Sequence, residues 1–320
     1  MSTAHAQNDG AVDKREAQAW LKRIQSAARN LNYAGVFVYQ QANQVRTSRI
    51  THIVDGRNEI EKIEILDGRP REYIRKNEEI TYYLPEVKVL QVERQVTQDI
   101  FPSILAANPA ELAEHYHIRR EEIGRVAGFE CQAILLEPKD NLRYGYRLWA
   151  EKNTGLLLRA QTLDTEGAAV EQIAFTQLEI NNIDRNRVKP SYANTNRWRI
   201  ETPVMNPTSL SGWTVKAIPP GFRRIRELTR IVSDNSAPNS ANASAHSATR
   251  EVAQIVFSDG LAAISIFIEP GTQSKTEGSM RQGAMNIIGK RQGEFWLTIV
   301  GEVPAAAIWQ VANSIEFKPK

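Results

Sequence analysis

Arg49-Ile-Thr-His-Ile-Val54, Ile60-Glu-Lys-Ile-Glu-Ile-Leu66, Glu72-Tyr-Ile-Arg75, Ile80-Thr-Tyr-Tyr-Leu84 and Lys88-Val-Leu-Gln-Val92 follow one another closely, and their reading decides the fold. Each run is short and rich in β-branched and aromatic residues, which fit a pleated, half-buried surface. Between them stand Asp55-Gly56, Asp67-Gly68-Arg69-Pro70 and Pro85. That turn chemistry is too closely spaced for the roughly dozen residues a parallel crossover needs. The stretch predicts an antiparallel meander, with Gly35-Val-Phe-Val-Tyr39 as an earlier strand of it.

Upstream, Ala17, Trp20, Leu21, Ile24, Ala27, Ala28 and Leu31 recur at helical spacing, so the sequence predicts one amphipathic helix from Asp13 to Leu31. Downstream, Asn108-Pro109-Ala-Glu111 carries a capping residue, a proline suited to the first helical position and a carboxylate for a capping box. Strands are expected again over Arg125 to Leu136, Leu142 to Glu151, Leu156 to Leu163 and Ala168 to Ile180, with Asn153-Thr154-Gly155 and Asp164-Thr-Glu-Gly167 as turns.

Periodicity then disappears. Residues 183–207 are polar and contain Pro190, Pro203 and Pro207, which predicts a linker between a β domain over 12–182 and a smaller α+β domain over 208–320. The second domain opens on Trp213 and Pro219-Pro-Gly-Phe222, with strands expected at Glu251 to Asp259, Leu261 to Glu269 and Trp296 to Val300 and a helix at Pro304 to Ser314. Inside it, Ser233 to Thr249 is almost entirely Ser, Ala, Asn and Pro, a composition that cannot bury a core and predicts a disordered hairpin loop.

Composition sets outer bounds. A chain of 320 residues with 42% hydrophobic and 24% charged content has no apolar run of the roughly 18 to 20 residues a membrane helix needs. The net charge of +3 divides into −1 before Ser191 and +4 from Ser191 onward, too little to argue nucleic-acid binding. One cysteine, Cys131, excludes an intramolecular disulfide framework, and its alternating surroundings predict an inert strand thiol. Ala4-His5-Ala6 before Gln7 has the form of a signal-peptidase site, so the N-terminus is expected to be the mature end of an exported protein carrying an added start methionine.

Catalytic chemistry is sparse. No G-x-S-x-G, H-E-x-x-H, P-loop or G-x-G-x-x-G occurs, and the carboxylates are scattered. His115 and His117, beside Glu111 and Glu114, fit no zinc spacing and read as surface histidines, and His52 reads as a half-buried strand residue. No enzyme, metal or cofactor is expected. Two features favour binding instead. Strand aromatics such as Phe37, Tyr82 and Trp149 suit a sheet–helix core or the lining of an apolar groove. Arg223, Arg224, Arg226 and Arg230, with Lys189, Arg197 and Arg199 in the linker, offer guanidinium forks for carboxylates or phosphates.

Several phrases, in order, resemble the MucB/RseB family of periplasmic sigma-E regulatory proteins. They include Ala17-Gln-Ala-Trp20, Leu31-Asn-Tyr33, Leu66-Asp-Gly-Arg-Pro-Arg-Glu72, Asn77-Glu-Glu-Ile-Thr-Tyr82, Phe101-Pro-Ser103, Tyr146-Arg-Leu-Trp149, Phe257-Ser-Asp-Gly-Leu261 and Ile299-Val-Gly-Glu-Val-Pro304. The resemblance implies an α+β protein. Its N-terminal domain would be an unclosed antiparallel β-barrel with helices, like the lipoprotein carriers (LolA-like), followed by a smaller α+β domain. It also implies a periplasmic protein that binds the periplasmic part of a membrane anti-sigma factor (MucA/RseA-like) and protects it from the first regulatory protease. A lipid or lipopolysaccharide would release it. On that basis Arg197, Arg199, Arg223, Arg224 and Arg226 are expected to hold the peptide, and Phe37, Tyr82 and Trp149 to face or border a lipid cavity. A periplasmic lipid or lipoprotein carrier is the alternative, and a homo-oligomer stays open.

Overall fold

The computed structural model describes residues 3–94, 101–102, 104–105, 108–202, 205–207, 210, 212–233, 249–271 and 275–318. The chain divides into two compact units, one of residues 1–140 and 144–202, the other of 141–143 and 203–320.

The first unit opens with helix α1 (Thr3–Asn30), then six strands: β1 (Tyr33–Gln41), β2 (Gln44–Asp55), β3 (Asn58–Ile65), β4 (Arg71–Lys76), β5 (Glu79–Leu84) and β6 (Val89–Glu93). A short helix α2 (Pro109–His115) leads to β7 (Tyr116–Val126), β8 (Phe129–Pro138), β9 (Gly145–Glu151), β10 (Leu157–Leu163) and β11 (Ala169–Ile180), and β12 (Arg199–Glu201) closes the unit. All twelve strands form one sheet in the order β12-β6-β5-β4-β3-β2-β1-β11-β10-β9-β8-β7. Every pairing is antiparallel except the parallel addition of β12 to β6. The meander of the sequence is thus one continuous sheet, and it is an unclosed one, with β12 and β7 at its two edges.

Helix α1 presents the stripe expected of it. Ala17, Leu21, Ile24 and Ala28 are fully or almost fully buried, and the helix packs on β7, β10 and α2. Burial of the leucine and isoleucine alone stabilises the unit by about 1.5–3 kcal/mol each. Asn108 caps α2 as its sequence suggests: its side-chain oxygen accepts from the Ala110 amide at 2.9 Å, with Pro109 in the first helical turn.

Three local readings change. The run Arg125 to Leu136 is two strands, not one, because Ala127 (φ 47°) and Gly128 (φ 89°) turn the chain in the left-handed region. Most of β7 escapes an apolar-run reading because Arg119-Arg-Glu-Glu122 fills its middle; it is an edge strand, where charges block unwanted pairing. The run from Leu142 begins as a strand only at Gly145.

Residues 183–202, expected within the linker, belong to the first unit. Lys62 and Glu72, both buried, form an ion pair at 3.1 Å. Lys62 also donates to the Lys189 carbonyl and the Ser191 hydroxyl, and the Ser191 amide donates to Glu72 at 3.1 Å. Tyr192 stacks on Tyr83 at 6.0 Å, and Trp198 closes the cluster at 5.3 Å from Tyr192. A polar segment is held here by buried charge and three rings, without an apolar periodicity to announce it.

The second unit contains β13 (Met205–Pro207), β14 (Trp213–Val215), β15 (Arg223–Ser233), β16 (Thr249–Ser258), β17 (Ala263–Pro270), β18 (Gly278–Gln282), β19 (Met285–Gln292), β20 (Phe295–Gly301), α3 (Ala305–Asn313) and β21 (Ile315–Phe317). Seven strands make a sheet in the order β13-β15-β16-β17-β20-β19-β18, while β14 pairs with β21. One sheet face carries Ile255, Ile264, Ile266, Leu297 and Ile299, and α3 buries Ala307, Ile308, Val311 and Ala312 in the same core. β15 and β16 pair as far as Ser233 opposite Thr249; residues 234–248, the body of the expected disordered loop, lie outside the described residues.

Arg143 is the largest fully buried side chain among the described residues, and within the second unit its Nη1 meets Asp259 at 3.1 Å. Its Nη2 donates to the Pro220 carbonyl at 2.5 Å, and its guanidinium lies 5.8 Å from the Phe222 ring centre. Asp259 also accepts from the Leu261 and Ala262 amides through Oδ1. Asp259→Asn keeps that oxygen acceptor and removes the carboxylate charge that faces the buried guanidinium. The expected loss is about 3–5 kcal/mol in urea denaturation of the full chain; a loss below about 1 kcal/mol would mean that the pair does not hold this core.

Candidate functional site

Register determines which side chains share the α1 side of the first sheet. Tyr33 pairs with His52, His52 with Glu61, Glu61 with Arg75, Arg75 with Ile80 and Ile80 with Glu93, so all six project from one face. The next row on that face runs Gly35, Ile50, Ile63, Tyr73, Tyr82 and Gln91. Tyr33 fixes the face as the inner one, because its hydroxyl donates to the Ala28 carbonyl of α1.

Two chemistries divide this inner face. One is a polar network around His52, whose Nδ1 donates to the Leu31 carbonyl at 2.8 Å and whose Nε2 lies 3.1 Å from Glu59. Arg75 reaches Glu59 at 3.1 Å and Glu61 at 3.7 Å, and the Tyr33 ring stacks on His52 at 4.7 Å. The His52 hydrogen bond, helped by Arg75, holds the Glu59 carboxyl below the usual carboxylate range, and burial raises the Tyr33 phenol well above its ordinary value. The other is an aromatic cluster. Phe37, Phe101 and Phe175 lie 5.1–6.1 Å apart, all buried, and Gly35 is bare because a Cβ there would stand 2.9 Å from the Phe175 ring.

Of the three aromatics expected to border a lipid cavity, Phe37 and Tyr82 lie on this face, on strands separated by β2, β3 and β4. Tyr82 is half-buried, edge-on to Tyr73 at 5.1 Å. Trp149 is not brought to them. It pairs across β9 and β10 with Arg159, which pairs with Ala174, the neighbour of Phe175 pointing the other way. Trp149 therefore stands on the outer face, with the Arg159 guanidinium 5.1 Å from its ring centre. Two β-bulges, between Val36 and Phe37 and between Leu157 and Arg159, shift the alternation that sequence spacing alone suggests.

The five arginines fall into two sets. Arg197 and Arg199 are exposed on the 183–202 strap of the first unit, and Arg199 pairs with Glu201 at 2.7 Å. Beside the same strap an outer-face groove of about 440 Å³ is lined by Arg49, Lys62, Glu64, Arg187 and Lys189. Arg223, Arg224 and Arg226 stand on β15 of the second unit. A bulge between Arg224 and Arg226 leaves Ile225 exposed; Arg224 pairs with Glu227 at 3.0 Å and lies over the Phe257 ring at 5.8 Å.

Cys131 is buried, and burial pushes its thiol up to about 11. His115 ends α2 and His117 is exposed on β7; no group of three metal-ligating side chains forms among the described residues. The inner-face network has no motif of its own in the sequence; its one signal is the turn at Gly56-Arg57, which places His52 opposite Glu61.

Fold and surfaces together define a two-unit α+β protein organised around an unclosed sheet, with an inner face closed by a helix and a basic strand on its smaller unit. The chain belongs to the MucB/RseB family: residues 16–192 match the MucB/RseB N-terminal domain and residues 207–316 the MucB/RseB C-terminal domain. It is 26% identical over 314 residues to the sigma-E factor regulatory protein RseB of Haemophilus influenzae, covering 96% of this chain and 93% of that protein. It is 28% identical over 316 residues to the sigma factor AlgU regulatory protein MucB of Pseudomonas aeruginosa, covering 95% and 92%. Among solved structures it resembles MucB in complex with MucA(peri), with a TM-score of 0.71 and 25% identity over 95% of this chain and all of that one.

The inner-face network makes a pH prediction. Glu59 has a lowered folded pKa, so its contribution to stability is present above the unfolded value and is lost as pH falls through the folded one. Glu59→Gln is expected to flatten the acid limb of a stability-against-pH curve measured by urea denaturation. A variant whose limb has the wild-type slope would show that this carboxylate does not titrate against the fold.

Proposed function

We propose that this protein is a periplasmic regulator that binds the periplasmic segment of a membrane anti-sigma factor, shields it from the first regulatory protease and so keeps a sigma-E-type factor sequestered. A lipid or lipopolysaccharide on the first unit releases the segment. The observation that carries the reading is full-length membership: both family domains are present in order, and the similar solved structure is one of MucB holding MucA(peri).

The surfaces supply compatible chemistry. Arg223, Arg224 and Arg226 set three cations on one strand, suited to carboxylates of an acidic segment, and Arg197 and Arg199 add two on the strap. Phe37 and Tyr82 mark the inner face as the side where acyl chains find apolar and amphipathic rings. Release by lipid requires that lipid and segment have different affinities for the two liganded forms, and the coupling is reciprocal.

The test is cleavage of the anti-sigma periplasmic segment by its protease with and without this protein, then with lipopolysaccharide added. Protection that lipopolysaccharide abolishes is expected; no protection at any protein concentration sinks the proposal. Replacing Arg223, Arg224 and Arg226 together by glutamate is expected to weaken segment binding at least tenfold by calorimetry, roughly one charge-assisted contact or more. Unchanged affinity would remove those arginines from the interface.

A further inference from the structure

The outer edge of β18 differs from the other long edge in the protein. β7 guards itself with Arg119-Arg-Glu-Glu122, whereas β18 is Gly278-Ser-Met-Arg-Gln282, every residue exposed, with neither a carboxylate nor a proline. Among the described residues β18 pairs only with β19, so one row of its backbone N–H and C=O groups faces outward. A strand is the conformation that satisfies such a row.

Side chains beside this edge form a groove of about 90 Å³. Met280 is 59% exposed and Trp309, on α3, 45% exposed, two of the largest exposed apolar side chains of the second unit, and both line the groove with Ile287 and Ile308. Arg281 is its one charged lining residue, so the groove is cationic as well as apolar. Met280 and Ile287 pair on one face of the sheet, Ser279 and Arg281 point to the other, and an added strand would place alternate side chains over each. The face that carries Met280 also carries Arg226, along the row Arg226, Val256, Ser265, Val300, Ile287 and Met280.

We infer that the β18 edge is a docking site for an extended partner segment, added as an eighth strand, whose alternating side chains meet Met280 on one face and Trp309 and Arg281 on the α3 face, an apolar one at Trp309 and a carboxylate at Arg281. The inference rests on the regulator reading and takes the segment to be part of the anti-sigma factor's periplasmic region. A partner gripped by the β15 arginines then finds a second anchor on the same sheet.

The lone native thiol is buried, so Met280→Cys introduces a single accessible one. Its rate of maleimide labelling in the full chain is measured with and without saturating anti-sigma periplasmic segment, beside Ile123→Cys on β7 as a control position 53% exposed in the wild type. Labelling at position 280 is expected to slow at least tenfold while the control is unchanged. Trp309→Ala is expected to weaken segment binding at least fivefold with the melting temperature maintained. If the segment binds by calorimetry and position 280 labels at its free rate, this inference alone is overturned. If the segment does not bind wild-type chain at all, the regulator reading fails and carries this inference with it. Protection at position 280 that grows with the chain's own concentration, without segment, assigns the edge to a second copy and also overturns it.

Discussion

Closing the inner face of an open twelve-stranded sheet is the constraint on which the first unit depends. A sheet that does not meet its own first strand leaves one face to be covered by something else, and exposed apolar sheet is a template for aggregation. Helix α1 supplies the cover with Ala17, Leu21, Ile24 and Ala28, and Phe101 adds a ring against Phe37 and Phe175. The remaining inner surface is made compatible with burial differently, by pairing His52, Glu59, Glu61 and Arg75 with one another. A face of this mixed kind suits an amphiphile: rings for an acyl chain at one place, fixed charges at another.

The outer face and the second unit use the same device of buried charge in place of apolar bulk. Lys62 and Glu72 hold the 183–202 strap by its backbone, and Arg143 with Asp259 organises the turn that leads from β16 to β17. In each case a buried ion pair whose remaining polar atoms bind backbone helps to hold a loop or strap in place. Such pairs contribute little beyond what hydrophobic replacements would, but they are intolerant of losing one partner, which makes them register-setting features.

Much of this was legible in the residues. The meander followed from turn spacing, α1 from its periodicity and the α2 cap from Asn108-Pro109, because each depends on neighbours in sequence. Family membership was readable for the same reason, through short phrases in a fixed order. What escaped depends on partners far apart in the chain. The strap looked like a linker because Lys62, Glu72 and Tyr83, which anchor it, lie over a hundred residues upstream. Trp149 stands on the outer face because its cross-strand partners Arg159 and Ala174 set its side of the sheet, and that pairing with a strand ten and more residues away has no mark in the residues around Trp149. β18 gives no strand signal, since Gly278-Ser-Met-Arg-Gln282 has none of the β-branched residues by which strands are recognised.

A regulator of this design stands on coupling between two ligands, so the most direct measurement is the reciprocity of their affinities. The dissociation constant of the anti-sigma periplasmic segment is measured by calorimetry with and without saturating lipopolysaccharide, and that of lipopolysaccharide with and without saturating segment. The account predicts that each ligand weakens the other by the same factor, about tenfold or more. A segment affinity that lipopolysaccharide leaves unchanged would contradict it.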